Sequence, residues 1–562
     1  MFDHLAKRAL LRLRRHAVFA AAALGLFALV VVPLAFILVR AVLTQTDGGW
    51  TFTAAPILEV VSGGVYWSAL LNTLIIGAGA TVIATAVGVP LAWLFARTNM
   101  PGRSFLERLS TIPIFIPPFV GAIAWILLSA PRIGVFNYPF RHLLGSEPFN
   151  VYSLVGISWV IGIYLAPYVM MIVAAALRSM DPSLEEAAQV SGLSRYRTAT
   201  RITLPLVAPA ILSGATLAFV ITIGLFGTPV VIGWARQIYF VTSRIYIASQ
   251  EVPPALATMA VLASYLIALS VLATLLQRWL VRGRSFVTVS GKGFRARPVV
   301  LGRSRYVAAG AVWLYCIFTI IAPVAVLIVA SLSTYTWSGR FTMENVRFLW
   351  ADSDVRATLR NSLLISVIAA SIATTLGVAI SWITQKTRVP GRQLLEYLAV
   401  LPVSVPGIAF GVGVALFWLE MPMTIYGTIW IIIFAFIGRF SGYAVRSISA
   451  SLVQVHPELE ESARVSGYGP VRTFLKITLP LIRPSIVASW MLLFSIFITE
   501  LSMVVLLYTA ETRTFSLLSF EMWNTGNFSQ VASLSLLQLV VGVVVLQAVQ
   551  LLWPQKNFQS SV

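Results

Sequence analysis

Residues 185–206 read EEAAQVSGLSRYRTATRITLPL, and residues 460–481 read EESARVSGYGPVRTFLKITLPL. The two segments share 13 of 22 positions at a spacing of 275 residues. Each opens on a Glu-Glu pair (Glu185 and Glu186; Glu460 and Glu461), carries a glycine at the same place (Gly192, Gly467) and closes on Ile-Thr-Leu-Pro-Leu. Asp181-Pro182 can start a helix, because aspartate caps and proline suits the first helical position. Acidic residues in the first turn favour the helix dipole. Ala187 and Ala188 keep one face small, and Gly192 can take the left-handed conformation that stops the helix. A second helix is predicted from Ser194, or from Gly469-Pro470 in the other copy, ending at Leu-Pro. The product is a helix–turn–helix bracket, repeated, polar, and set in a chain that is otherwise apolar. A membrane-surface amphipathic loop with basic residues at anionic headgroups is the alternative for either copy alone.

The surroundings are membrane. The chain has 562 residues, 58% hydrophobic and 11% charged, against about a quarter charged in soluble domains. Its apolar residues form runs of about 20 or more, the length that crosses a hydrocarbon core roughly 30 Å thick. Twelve spans are predicted, near 17–43, 68–96, 108–130, 152–177, 207–233, 257–281, 306–333, 358–385, 394–419, 426–452, 482–508 and 530–553. The fold class is therefore an all-α integral membrane protein. With both termini on the cytoplasmic side, cytoplasmic segments hold most of the 40 Lys and Arg, the asymmetry of the positive-inside rule. The net charge of +20 thus reports topology, and no nucleic-acid partner is implied. Cys316 and four scattered His residues offer no metal-ligand spacing, so no metal site is expected.

The repeat is longer than the brackets. RTNMPGR at 97–103 matches KTRVPGR at 386–392, and Pro113 and Pro117 match Pro402 and Pro406, all at an offset of 289. Tyr168 and Tyr443, and Pro209 and Pro484, obey the bracket offset of 275. The first half therefore carries about 14 extra residues within 130–150. Three units follow: a six-span repeat at 1–281, a basic cytoplasmic linker at 282–305, and a second six-span repeat at 306–562. Parallel repeats of this kind enclose a path along the membrane normal. The matched prolines break spans 3 and 9, which lipid tolerates only where neighbouring helices or a water-filled cavity satisfy the freed carbonyls.

Written as E-A-A-x3-G-x9-I-x-L-P, the first bracket matches from Glu186 through Gly192 to Ile202, Leu204 and Pro205; the second departs only at Ser462. This resembles the signature loop of the membrane subunits of binding-protein-dependent ABC importers, and the resemblance covers both halves. It implies that each bracket docks into one of two ATPase subunits. Glu185, Glu186, Ala187, Glu460 and Glu461 would serve the coupling, with Gly192 and Gly467 shaping the turn. It also implies a soluble extracytoplasmic binding protein, and residence in a bacterial cytoplasmic membrane. The chain has no G-x-x-x-x-G-K-[ST] loop, since Gly291-Lys292 lacks the upstream glycine. ATP is then used by the partner, and no cofactor is expected on this chain.

For the cargo, the fused design and the Thr-Glu-Leu-Ser of span 11 resemble permeases of the ferric-iron group, with thiamine, polyamine or phosphonate as alternatives. Two ionisable residues fall within spans, Arg439 and Glu500, and their first-half counterparts are Tyr164 and Leu225. Intramembrane charges face a cavity or each other, so the two either pair or line a path. A major-facilitator-type secondary transporter shares the two six-span halves but gives no reason for the doubled bracket. No nucleophile constellation supports an enzyme.

Overall fold

The computed structural model describes residues 19–20, 22–46, 49–181, 183–281, 299–334, 339–423 and 425–552. Pro182, the amino-terminal segment, the linker up to residue 298 and the carboxyl-terminal tail lie outside them. Among the described residues ten helices are long and apolar enough to cross a membrane. Two further helix pairs are sharply bent, Arg103–Phe115 with Pro118–Ser129 by 100° and Arg392–Ser404 with Gly407–Glu420 by 113°. Counting each pair as one span gives twelve.

The bends locate the difference from a simple twelve-helix reading. Spans 3 and 9 are not gently kinked rods; each turns through somewhat more than a right angle at Pro117-Pro118 or at Pro406. These prolines remove main-chain donors in succession, and the residue before a proline is driven to extended geometry. Ile116 and Val405 accordingly have ψ near 121° and 129°. Spans 5 and 11 also stop early. Their helices end at Gly224 and Thr499 and resume as short helices at Gly227 and Val504.

Within each half, the same three helices form the frame. Gly64–Arg97 packs along Leu154–Ser179 and Leu204–Gly224, and Ser353–Lys386 packs along Ile429–Gln454 and Leu479–Thr499. Small residues allow the close approach that holds helices together in lipid. A Cβ at Gly88 would meet the Ala166 carbonyl at 2.6 Å, and one at Gly377 would meet Ala444 Cβ at 2.6 Å. The first span of each half lies against the other half. Val32–Arg40 packs on Gly407–Glu420, and Ala322–Ser331 packs on Pro118–Ser129. The Tyr315 hydroxyl, on span 7, donates to the Ile163 carbonyl of span 4 at 3.1 Å. A hairpin, Leu43–Thr46 with Gly49–Phe52, follows span 1. The 14 extra residues of the first half include a short helix, Asn137–Leu144, held by Asn137, which is wholly buried and donates to the Ala130 and Phe149 carbonyls.

Both brackets pass into the next span through a π-helical turn, Ala199–Thr203 and Phe474–Thr478. Pro205 and Pro480 stand two residues beyond. A proline has no N–H for the carbonyl four residues back, and the ladder widens to absorb the loss. The same relation recurs at Phe27–Val31 before Pro33 and at Ile317–Ile321 before Pro323.

Candidate functional site

Each bracket begins with a short helix, Ser183–Val190 or Pro457–Val465. Gly192 and Gly467 end them at φ of +83° and +82°. The next residue's amide reaches back five positions, Leu193 to the Ala188 carbonyl at 3.0 Å and Tyr468 to the Ala463 carbonyl at 2.9 Å. This is the glycine-terminated hydrogen-bond pattern that closes a helix with a left-handed residue. The expected turn therefore forms, twice, with the same bonds.

The Glu-Glu pair splits by direction. Glu186 and Glu461 are exposed. Glu185 and Glu460 turn inward, with side chains 15% and 11% exposed. Glu185 Oε1 accepts from the Thr203 hydroxyl at 2.6 Å, and its Oε2 lies 3.7 Å from Arg97 Nη1. Glu460 Oε1 accepts from the Thr478 hydroxyl at 2.9 Å and lies 3.3 Å from Lys386 Nζ. The cations reach a further element. Arg97 donates to the Met180 carbonyl at 3.4 Å, and Lys386 to the Val455 carbonyl at 3.2 Å. Ala187 is exposed, whereas Ala188 and Ala463 pack inward at 5% and 4% exposure.

The outward face holds residues that the repeat alone did not single out. Leu184 and Leu459 are 42% and 46% exposed, and Val190 and Val465 are 91% and 89% exposed. They obey the 275 offset, so both brackets present a leucine, the second glutamate and a valine on one turn-and-a-half of helix. The signal was available: two apolar residues at matched positions in a polar segment, the valine four positions after the exposed glutamate and so on its face of the helix.

Arg439 and Glu500 are half-buried, and each is bound to a broken helix. Arg439 donates through Nε and Nη2 to the Val405 carbonyl at 3.2 and 2.9 Å, at the bend before Pro406. Glu500, at the end of the span 11 helix, accepts from the Met503 amide at 3.2 Å, where the short helix restarts. The two face one another across Gly407, whose added Cβ would lie 3.5 Å from Glu500 Oε1 and 3.6 Å from Arg439 Cζ. The corresponding region of the first half is a cavity of about 70 Å³ lined by Pro118, Tyr164, Leu225 and Thr228, among others.

With two parallel six-span halves, bent third spans and a doubled bracket, the architecture is that of a membrane permease. Residues 88–286 and 373–555 both match the family described as "Binding-protein-dependent transport system inner membrane component". The chain belongs to this family, as a fused, two-repeat permease subunit of an ABC importer. It is 29% identical over 482 residues to the ferric transport system permease protein FbpB of Actinobacillus pleuropneumoniae, covering 83% of this chain and 68% of that one. It is 28% identical over 483 residues to the putative ferric transport system permease protein FbpB 1 of Haemophilus influenzae, covering 83% and 74%. The molybdenum transport system permease protein ModB of Escherichia coli matches at 28% over 224 residues, which is 38% of this chain but 93% of ModB. A half of this chain thus corresponds to a whole subunit there.

Proposed function

We propose that this permease carries ferric iron, delivered by an extracytoplasmic binding protein, and that two separate ATPase subunits drive it by docking on the two brackets. Glu186 and Glu461 make the polar contacts, and Leu184, Val190, Leu459 and Val465 enter an apolar cleft on each ATPase. Both termini and both brackets face the cytoplasm, this chain itself binds no nucleotide, and hydrolysis occurs in the partner. The observation that carries the docking is the matched, exposed face shared by Glu186 with Val190 and by Glu461 with Val465, four positions and about 40° apart on the helix, with Leu184 and Leu459 exposed to one side of it. Burying two such side chains per bracket contributes about 3 kcal/mol or more, and a surface duplicated to this degree on a polar segment needs a partner. The FbpB relatives support the cargo.

The experiment is co-purification of the ATPase with Val190→Asp/Val465→Asp permease, and with Glu186→Ala/Glu461→Ala permease. The aspartate pair is expected to lower recruitment at least tenfold while leaving membrane insertion normal; unchanged recruitment by both variants would refute the docking face. Uptake of radiolabelled ferric iron by proteoliposomes holding permease, ATPase and binding protein tests the cargo. Uptake of another cargo and not of iron would replace it.

A further inference from the structure

Four elements meet at one carboxylate–cation pair, and they do so twice. In the first half these are the cytoplasmic end of span 2 (Arg97), the end of span 4 (Met180), the bracket helix (Glu185) and the start of span 5 (Thr203). In the second half they are Lys386, Val455, Glu460 and Thr478. All four positions keep the repeat offsets, 289 for the cation and 275 for the rest. We propose that Glu185 and Glu460 are force-transmitting positioning residues: each clasps its bracket to the long span before it, so that displacement of the bracket moves span 2 or span 8.

The mechanical argument starts from the weakness of the bracket. Its helices have 8 and 9 residues, too few to be stable alone. Chain connection ties them forward to spans 5 and 11, through the π turn, and backward to spans 4 and 10, through an extended residue (Met180, ψ 136°; Val455, ψ 109°). No covalent link joins the bracket to span 2 or span 8, the two 34-residue helices that frame each half. The clasp supplies a noncovalent one. The cation–carboxylate contacts, at 3.7 and 3.3 Å, are ion pairs between largely buried partners, which are screened less than surface pairs. The charge-assisted hydrogen bond to each carboxylate comes from a hydroxyl in the π turn itself, at Thr203 and Thr478. A push on the bracket is then shared by three spans of the frame instead of being taken up in a loop.

The clasps differ in wetness. Arg97 is 2% exposed, whereas Lys386 and Glu460 border a cleft of about 570 Å³ that also exposes Arg388 and Arg464. Water competes for Lys386 there, and Arg464 stands 3.8 Å from the second oxygen of Glu460 as a reserve cation. The first clasp is therefore the less tolerant of neutralisation.

This inference rests on the docking reading above, and its test uses the complete transporter in proteoliposomes with ATP hydrolysis as the readout, which is independent of what is carried. In Glu185→Gln/Glu460→Gln permease, ATPase recruitment and basal hydrolysis are expected to persist. Stimulation of hydrolysis by loaded binding protein is expected to fall at least tenfold, with Glu185→Gln alone worse than Glu460→Gln alone. Reversing the second pair, Lys386→Glu with Glu460→Lys, should recover a large part of what Lys386→Glu alone loses. Normal stimulation in the double glutamine variant would overturn the proposal. Loss of ATPase recruitment would overturn it too, by making these residues part of the docking face. If the double variant does not insert, the single Glu460→Gln variant decides: stimulated hydrolysis lost with basal hydrolysis kept supports the clasp, and a proportional loss of both refutes it. An ATPase that fails to bind unaltered permease would refute the docking reading instead.

Discussion

The bend in the third span of the first half and its counterpart in the second are the same backbone event held by different chemistry. In the first half, Thr228 donates its hydroxyl to the Pro118 carbonyl at 2.7 Å, beside a small apolar cavity. In the second half, position 407 is glycine, Met503 replaces the threonine, and a guanidinium and a carboxylate occupy the space that Tyr164 and Leu225 line in the first. A freed carbonyl in a membrane must be satisfied; Arg439 serves that of Val405 just before Pro406, whereas in the first half the hydroxyl of Thr228 reaches the Pro118 carbonyl, two positions further along the repeat. The lesson is that the repeat conserves the break and leaves its repair open.

Replacing Arg439 by Met tests that difference most severely. It leaves the Val405 carbonyl unserved and Glu500 without its facing cation, and it should destabilise the protein by about 2–3 kcal/mol, less than for a fully buried pair because both side chains are half-buried. Thermal unfolding in detergent measures it. The double change Arg439→Tyr/Glu500→Leu, which imports the first-half residues, should recover part of that loss. A double variant as unstable as the single one would mean that the charges act independently, each on its own helix break. Next in size is Gly224→Ala. Its Cβ would fall 2.9 Å from Pro406 Cβ of the other half, an overpacking that costs about 1–3 kcal/mol. Because the contact joins the break in span 5 of one half to the bend in span 9 of the other, transport should fall more than stability does. Thr228→Val is the smallest, about 1 kcal/mol for one hydrogen bond, and equal stability to the parent would show that the Pro118 carbonyl finds another donor.

Much of this was legible beforehand. The brackets, their glycines, the duplication and the placement of bends at Pro117 and Pro406 follow from local rules about helix starts, left-handed stops and missing donors. The angle of the bends did not, since proline permits a shallow kink or a bend past a right angle and packing decides between them. Nor did the inward turn of Glu185 and Glu460 follow. Two adjacent glutamates on a helix point about 100° apart, and which one faces the protein depends on Arg97 and Lys386, far away in sequence. The match of RTNMPGR with KTRVPGR had placed both cations at equivalent positions, yet one-dimensional spacing could not join them to a bracket. The Arg439 and Glu500 positions were visible as charges within spans, but their main-chain partners lie on other elements.

The first span of each half leans on the other half, so the two repeats would be gripped together even without a covalent joint. What a single polypeptide adds is therefore not adhesion but identity. Separate, similar halves could assemble as two copies of either kind, with two charged bends or with none. One chain guarantees one of each, and makes every pore lopsided in the same way.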